Sequence, residues 1–154
     1  MKKILTGIAL AAIVLSGAAV AQDAPFAMQI KARQGLMEYR ALNISVLGAM
    51  AKGDMEYDAA KAQAAADNIV ADAKLDVSML WPAGSDNAVH AGTNALPAAW
   101  AEGSDVGAKD EAFQKAALAM QAAAGTGLDA VKAAMDPLGG ACGACHKAFR
   151  APAK

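Results

Sequence analysis

The sequence predicts an all-α fold, an antiparallel four-helix bundle, and three observations support this prediction. Aromatic residues make up only 5% of the chain, whereas apolar residues make up 56%. Much of the apolar share is alanine, the strongest helix former, and β-branched residues, which favour strands, are few. Apolar residues also recur at helical spacing in four segments, which are separated by residues typical of turns.

The first 21 residues have the features of an export signal. The lysine pair Lys2-Lys3 is followed by an apolar run over residues 4–15 and by small residues at 19–21, the pattern that signal peptidase cleaves. The run is shorter than the ~20 residues of a membrane span, although an uncleaved anchor is the alternative. We therefore predict a signal peptide over residues 1–21 and one mature domain over residues 22–154. This domain would be periplasmic in a Gram-negative bacterium and free of the membrane after cleavage.

The charge balance argues against nucleic acid as a partner. The chain has 14 lysines and arginines against 15 aspartates and glutamates, a formal net charge of −1. Loss of the two signal-peptide lysines makes the mature domain more acidic. There is no basic stripe, and there are almost no aromatic residues on which bases could stack.

Turn residues set the bounds of the predicted helices, which cover residues 25–52, 58–80, 97–124 and 128–150. Pro25 suits a first helical turn, Gly53 a C-terminal stop and Asp58 an N-cap. Pro137 lacks a backbone donor and is predicted to kink or divide the last helix. A long polar connection, residues 81–97, links the second helix to the third.

The apolar stripes of the predicted helices contain few bulky side chains. The first helix presents Ile30, Met37, Ala41, Ile44, Gly48 and Ala51, and the second presents Ala62, Ala66, Ile69, Ala73, Val77 and Leu80. Alanine-rich faces let helices approach closely, but they leave a thin core for a domain of this size. A large apolar cofactor would fill that deficit.

The segment "CGACH" contains both cysteines of the chain, Cys142 and Cys145, and one of its two histidines, His146. Cys-x-x-Cys-His is the attachment sequence for c-type haem. Positions three apart lie on nearly the same face of a helix, so two thiols can form thioethers with one porphyrin. His146 can then supply the proximal axial ligand of the iron.

Three other interpretations of the cysteine pair are weaker. A thioredoxin-like redox disulfide expects a strand–helix context, and no strand is predicted here. Zinc needs about four protein ligands, and only three cluster in this motif. A plain disulfide is compatible with export, but it does not explain the histidine that follows. We therefore predict an all-α four-helix bundle with one covalently bound haem c.

The chain resembles the class II cytochromes c, the family of cytochrome c′ and its low-spin relatives. The resemblance covers essentially the whole mature domain and rests on segments along its length: "ARQGLMEY", "VLGAMAKGDMEYDAA", "LWPAGSD", "PAAW" and "VKAAMDPLGGACGACHKAFR". In this family the haem-binding motif lies on the last helix. The family implies an electron carrier or a gas binder, and we predict no enzyme because no acid/base pair or nucleophile constellation is present.

The resemblance implies that Met37 lies over the distal face of the haem. In low-spin members a methionine at this position ligates the iron, and such a Met/His pair suits electron transfer. In cytochrome c′ proper the matching residue is unbound, and five-coordinate iron takes nitric oxide or carbon monoxide. Methionine on an apolar helix face also commonly just fills the core. We predict ligation by Met37 and electron transfer with redox partner proteins, with the gas-binding protein as the alternative.

Three further residues are predicted to lie near the haem. Arg33 is a candidate partner of a haem propionate, Gln34 a neutral donor, and Arg150 a second basic group on the proximal side. Each of them also has an ordinary surface interpretation, as a solvated side chain or a helix C-terminal cation. A homodimer formed through the first two helices is common in the family, and the sequence leaves monomer and dimer open.

Overall fold

The computed structural model describes residues 25–152 and confirms the all-α prediction. Four helices follow one another along the chain: α1 (Ala27–Lys52), α2 (Ala59–Ala73), α3 (Val106–Ala124) and α4 (Leu128–Phe149). Each helix packs on the next, and α4 also packs on α1, which closes an antiparallel four-helix bundle. The predicted signal peptide and the predicted start of the mature domain lie outside the described residues.

Two predicted helix ends are confirmed by their capping geometry. Gly53 ends α1 with φ 84°, a left-handed conformation that glycine adopts at little cost, and its N–H donates to the Met50 carbonyl at 3.1 Å. Asp58 begins α2, and its carboxylate accepts a hydrogen bond from the Lys61 N–H at 3.0 Å. None of the helices within residues 25–152 combines the length and apolar character that a membrane span requires.

The predicted extension of the second helix to residue 80 was wrong. The helix ends at Ala73, and the Asp76 carboxylate then accepts a hydrogen bond from the Ser78 N–H at 2.9 Å. Such a local side-chain bond offers the backbone an alternative to the helix. Only a single turn of 3-10 helix, Ser78–Leu80, follows.

The predicted start of the third helix was also wrong, as was the predicted division of the fourth helix at Pro137, whereas a kink at Pro137 stays a prediction. The segment Pro97–Trp100 forms a separate 3-10 turn, and Gly103 at φ 76° reverses the chain before α3 begins. In contrast, α4 runs without interruption through Pro137. The haem-attachment motif therefore lies on the same continuous helix as the packed residues before it.

The bulkiest part of the buried core lies in one half of the bundle, between the C-terminal part of α1 and the N-terminal part of α4. Its largest fully buried apolar side chains are Leu47, Met50, Ile69, Met120, Val131 and Leu138. Alanines of α2 and α3 pack between them. The inward face of α1 is rotated relative to the predicted stripe, because Ala41 is exposed whereas Arg33 and Asn43 are buried.

Candidate haem site

Cys142, Cys145 and His146 lie in the last two turns of α4, and all three are half-buried. Both cysteines are free thiols. Because the helix is regular here, the i, i+3 spacing puts the two sulfurs on nearly the same face. This is the arrangement that thioether attachment of one porphyrin requires, with the histidine in the same helical turn as the second cysteine.

The electrostatics of the three groups suit attachment and iron binding better than thiol redox chemistry. Burial raises the pKa of both Cys142 and Cys145, and the charge of Arg40 opposes that rise at each of them. Redox-active cysteines show the opposite shift, towards the thiolate. Burial lowers the pKa of His146, as does the positive charge of Arg150, so the neutral imidazole that binds metals is favoured.

The competing interpretations of the motif find no support in residues 25–152. Their only β-pairing is an isolated bridge between Ala95 and Arg150, not the sheet of a thioredoxin-like fold. In the same part of the chain, no three His, Cys, Asp or Glu side chains come close enough to hold a metal ion by themselves. A tetrahedral zinc site therefore lacks its ligands there.

The interior between α1 and α4 changes character along the bundle. On α4 the last fully buried residue is Leu138, and the inward positions that follow are only half-buried, namely Ala141, Cys142, Cys145, His146 and Phe149. On α1, which runs antiparallel to α4 with Gly48 beside Met135, Leu36 and Met37 lie at about the level of His146 and are also half-buried. Apolar and sulfur-bearing groups thus line both helices where side chains alone do not complete a core. These residues fit a large, flat, apolar group that is held covalently from α4.

Met37 lies on α1 between two arginines of the same helical row, Arg33 four residues before it and Arg40 three residues after it. The predicted coordination of the iron by its sulfur stays a prediction. As a half-buried residue on the helix that packs on α4, Met37 can serve either as a ligand or as an apolar wall.

Arg33 is buried, with 3% of its surface exposed, and its guanidinium bonds to the connection between α2 and α3. It donates to the Ser85 hydroxyl at 2.6 Å, to the Thr93 hydroxyl at 2.8 Å and to the Ser85 carbonyl. The ring centroids of Trp81 and Trp100 lie 4.8 and 5.7 Å from its Cζ atom. Burial lowers the pKa of Arg33, and the Asp86 carboxylate opposes that effect. The predicted contact with a haem propionate stays a prediction, beside these protein partners.

Gln34 and Arg150 are both exposed. The Gln34 amide donates to the Gly92 carbonyl at 2.7 Å, so a second side chain of α1 is hydrogen-bonded to the α2–α3 connection. Arg150 ends α4 in an extended conformation, and with His146 and Lys147 it lines an open groove next to Asn94. The predicted contacts of Gln34 and Arg150 with the haem likewise stay predictions.

Sequence reasoning missed a buried ion pair near this site. Arg40 on α1 bonds to Asp72 on α2, and their side chains are 12% and 2% exposed. A signal was present in the sequence, because each residue occupies a position at core-facing spacing. Arg40 lies between Met37 and Ile44 at i+3 and i−4, and Asp72 follows Ile69 by three residues.

Comparison with known proteins agrees with this site. The family model described as cytochrome C' matches residues 28–150. A protein named cytochrome c-554 from Cereibacter sphaeroides is 42% identical over 133 residues, which cover 86% of this chain and 87% of that protein.

Solved structures give the same result. A structure titled cytochrome c' from Rhodobacter Spheriodes superposes with a TM-score of 0.81 at 38% identity, and the match covers 84% of this chain and all of that one. Another, a nitric oxide complex of a mutant of cytochrome c prime from Alcaligenes xylosoxidans, has a TM-score of 0.72 at 28% identity, with 86% of this chain and all of that one covered. The chain belongs to the cytochrome c′ family, the class II cytochromes c, and its cofactor is covalently bound haem c with one iron.

Proposed function

We propose that this protein is a monohaem cytochrome c′ whose distal face binds nitric oxide or carbon monoxide. The observation that carries the proposal is the contrast between the two helices: α4 provides two thiols and an imidazole, whereas the half-buried residues of α1 at the same level, Leu36 and Met37, carry no charged or nitrogen-bearing group. The nitric oxide complex of a structurally similar cytochrome c prime supports the proposal.

The site residues have three proposed roles: they attach the haem, coordinate its iron and cover its distal side. Cys142 and Cys145 would hold the haem to α4, and His146 would present its neutral imidazole to the iron from the same helix. Leu36 and Met37 would cover the side towards α1. When bound, haem would supply an iron that carries an electron or binds a diatomic gas.

Electron transfer with Met37 as sixth ligand is the second candidate function. It is favoured by the placement of Met37 on the inward row of α1, in the helix that packs directly on α4. A Met/His pair would stabilise ferrous iron and suit exchange of electrons with redox partner proteins. This candidate and the first make opposite predictions for one substitution.

The test compares wild-type holoprotein with Met37→Leu, which removes the sulfur and keeps the volume. If the distal side is free, the ferrous wild type binds carbon monoxide readily and its spectrum is high-spin. Met37→Leu then leaves both properties unchanged. Met135→Leu on α4 is the matched control, since Met135 is also half-buried and packs against the core.

A low-spin wild-type spectrum with a methionine-to-iron charge-transfer band would overturn the gas-binding proposal. In that case Met37→Leu would convert the protein into a high-spin form that binds carbon monoxide, and electron transfer would be the function. Met135→Leu would change neither spectrum under either candidate.

The proposal includes a periplasmic location, supported by the export signal predicted over residues 1–21. It also includes a homodimer, supported by exposed apolar side chains on α1: Met28, Tyr39 and Leu42 are 77%, 43% and 62% exposed. Large exposed apolar groups of this kind commonly mark contact surfaces.

A further inference from the structure

A buried ion pair connects three helices at the level of the first attachment cysteine. The Arg40 guanidinium of α1 donates to the Asp72 carboxylate of α2, and its Cζ atom lies 4.6 Å from the centroid of the Phe113 ring on α3. Phe113 belongs to the core cluster, against which Cys142 of α4 packs. Residues of α1, α2 and α3 thus meet at the ion pair, and Cys142 of α4 packs against the same core cluster.

Stabilisation of the fold does not by itself explain why a charged pair lies in this interior position. Oδ1 of Asp72 is buried and has no hydrogen-bond partner within residues 25–152. Removing two charges from water is expensive, and well-packed apolar residues of similar volume commonly stabilise a core as well as a buried ion pair or better. The effect of the charges on their surroundings offers a better explanation.

The surroundings of the pair include the haem-attachment residues. Arg40 lies one helical turn after Met37 on the same row of α1. Its charge acts on both thiols of α4, where it opposes the effect of burial on the pKa of Cys142 and Cys145. Arg40 is on α1, which packs directly on α4, whereas Asp72 is on α2, which packs on α1 and α3, so Arg40 is the member of the pair closer to the site.

We propose that the Arg40–Asp72 pair sets the reduction potential of the haem iron, with Arg40 favouring the ferrous state and Asp72 opposing it. Ferric iron carries one positive charge more than ferrous iron, and a fixed cation nearby disfavours that extra charge. The interaction is strong in a buried, low-dielectric layer and is little screened by salt. The inference goes beyond the proposed function, because it holds whether the iron is five-coordinate or bound by Met37.

The experiment is a potentiometric titration of folded holoprotein with redox mediators, followed by the haem absorbance. Asp72→Asn keeps the shape of the side chain and leaves the Arg40 charge uncompensated. We expect it to shift the ferrous-to-ferric equilibrium about tenfold towards ferrous, which for one electron is about 59 mV upward. Arg40→Met should shift the potential downward by a larger factor, because Arg40 lies closer to the site than Asp72 does.

The matched control is Asp105→Asn on the surface of the bundle. Asp105 also pairs with a cation, Lys109 at 3.0 Å, whose charge likewise acts on Cys145, but the Asp105 side chain is 59% exposed. Solvent screens such a charge, so we expect less than a twofold shift. The double variant Arg40→Met/Asp72→Leu should lie below the wild type and above Arg40→Met alone.

The proposal is wrong if Asp72→Asn shifts the potential no more than Asp105→Asn, or if both single variants shift it in the same direction. If neither single variant folds, the double variant decides, because it leaves no buried charge unpaired. An unchanged potential in that protein would reject the proposal. Carbon monoxide binding is scored separately, so failure of the gas-binding function would not be mistaken for failure of this inference.

Discussion

Arg33 shows how a single side chain can organise the surroundings of a site. Its guanidinium reaches two hydroxyls and two carbonyls of the α2–α3 connection and lies against two tryptophan rings. This connection would otherwise be a long polar loop. Arg33 therefore fastens it to α1, one turn before Met37.

Replacing Arg33 by methionine should cost about 3 kcal/mol of unfolding free energy. The substitution leaves the Ser85 carbonyl and the Thr93 hydroxyl buried without their charged donor, and each unsatisfied group costs about 1–3 kcal/mol. Urea unfolding of the holoprotein, followed by circular dichroism, measures the change. Gln34→Ala is the control: its single hydrogen bond is exposed, and its loss should cost less than about 1 kcal/mol. Equal losses in the two variants would contradict this account of Arg33.

At the residue scale, the sequence predicted what is local and missed what is distant. The spacing of Cys142, Cys145 and His146 was sufficient to predict a covalently bound haem c, the cofactor of the family, because all three lie within two turns of one helix. The partners of Arg33 lie 47 to 60 residues away along the chain. Nothing in the local pattern around Arg33 identifies them, since they depend on how the connection folds back on α1.

Of the four helices, α4 contains residues that are unfavourable in a helix interior, although it carries the attachment motif. It contains Pro137 in its interior, and Gly139 and Gly140 follow directly. A proline removes one backbone hydrogen bond, and each glycine costs helix stability relative to alanine. The helix is nevertheless continuous, so its packing on α1 and α3 outweighs these local penalties.

Pro137→Ala should therefore raise the free energy of unfolding, by about 1–3 kcal/mol, because it restores a backbone donor at an exposed position. The midpoint of urea unfolding of the holoprotein reports this gain. Gly140→Ala is the matched control in the same helix: a Cβ there meets nothing within 4 Å, and we expect a gain of about 0.5–1 kcal/mol. A lower midpoint for Pro137→Ala would mean that the proline fits a bend that the packing of α4 requires.

Helix bounds were predictable where a capping residue sets them and wrong where a local turn competes. Gly53 and Asp58 predicted the correct helix ends because each caps its helix directly. Gly53 does so by its left-handed backbone conformation, and Asp58 by the hydrogen bond that its carboxylate accepts. The predicted second helix continued past Ala73 because its apolar spacing continued to Leu80. The Asp76 turn, a bond across two residues, breaks the helix without interrupting that apolar pattern.

For the whole molecule, the main asymmetry lies between a packed half and the half that contains the attachment motif, where we predict the haem. The sequence-based inference of a thin core was correct for only part of the bundle, because Leu47, Met120 and Leu138 are fully buried at one end. Composition averages over the domain and hides this division. Only the folded arrangement shows that the bulky side chains are collected away from the attachment motif.

Haem removal should therefore destabilise the two halves unequally. A Cys142→Ala/Cys145→Ala variant, which lacks both thioether sulfurs, should keep slow amide hydrogen exchange at residues 44–51 and 131–136. Exchange at residues 33–40 and 141–149 should be at least about tenfold faster than in the holoprotein. In the holoprotein, local opening of these segments must break their contacts with haem, and without haem this cost is lost. Cys145→Ala, which retains one thioether, is the control and should resemble the wild type. Uniform acceleration along all four helices would contradict the division.

The hydrogen bonds of the connection between α2 and α3 also affect where the chain tolerates an insertion or new termini. Arg33 holds this connection to α1, while Leu96 and Ala151 donate to Phe149 and Asn94 and hold it to the end of α4. Despite its length, this connection is a poor place for a reporter domain or new chain termini. An insertion there would disrupt the hydrogen bonds by which the connection contacts both α1 and α4. The short turn after Gly53, where residues 53–56 are exposed, is the better site for circular permutation.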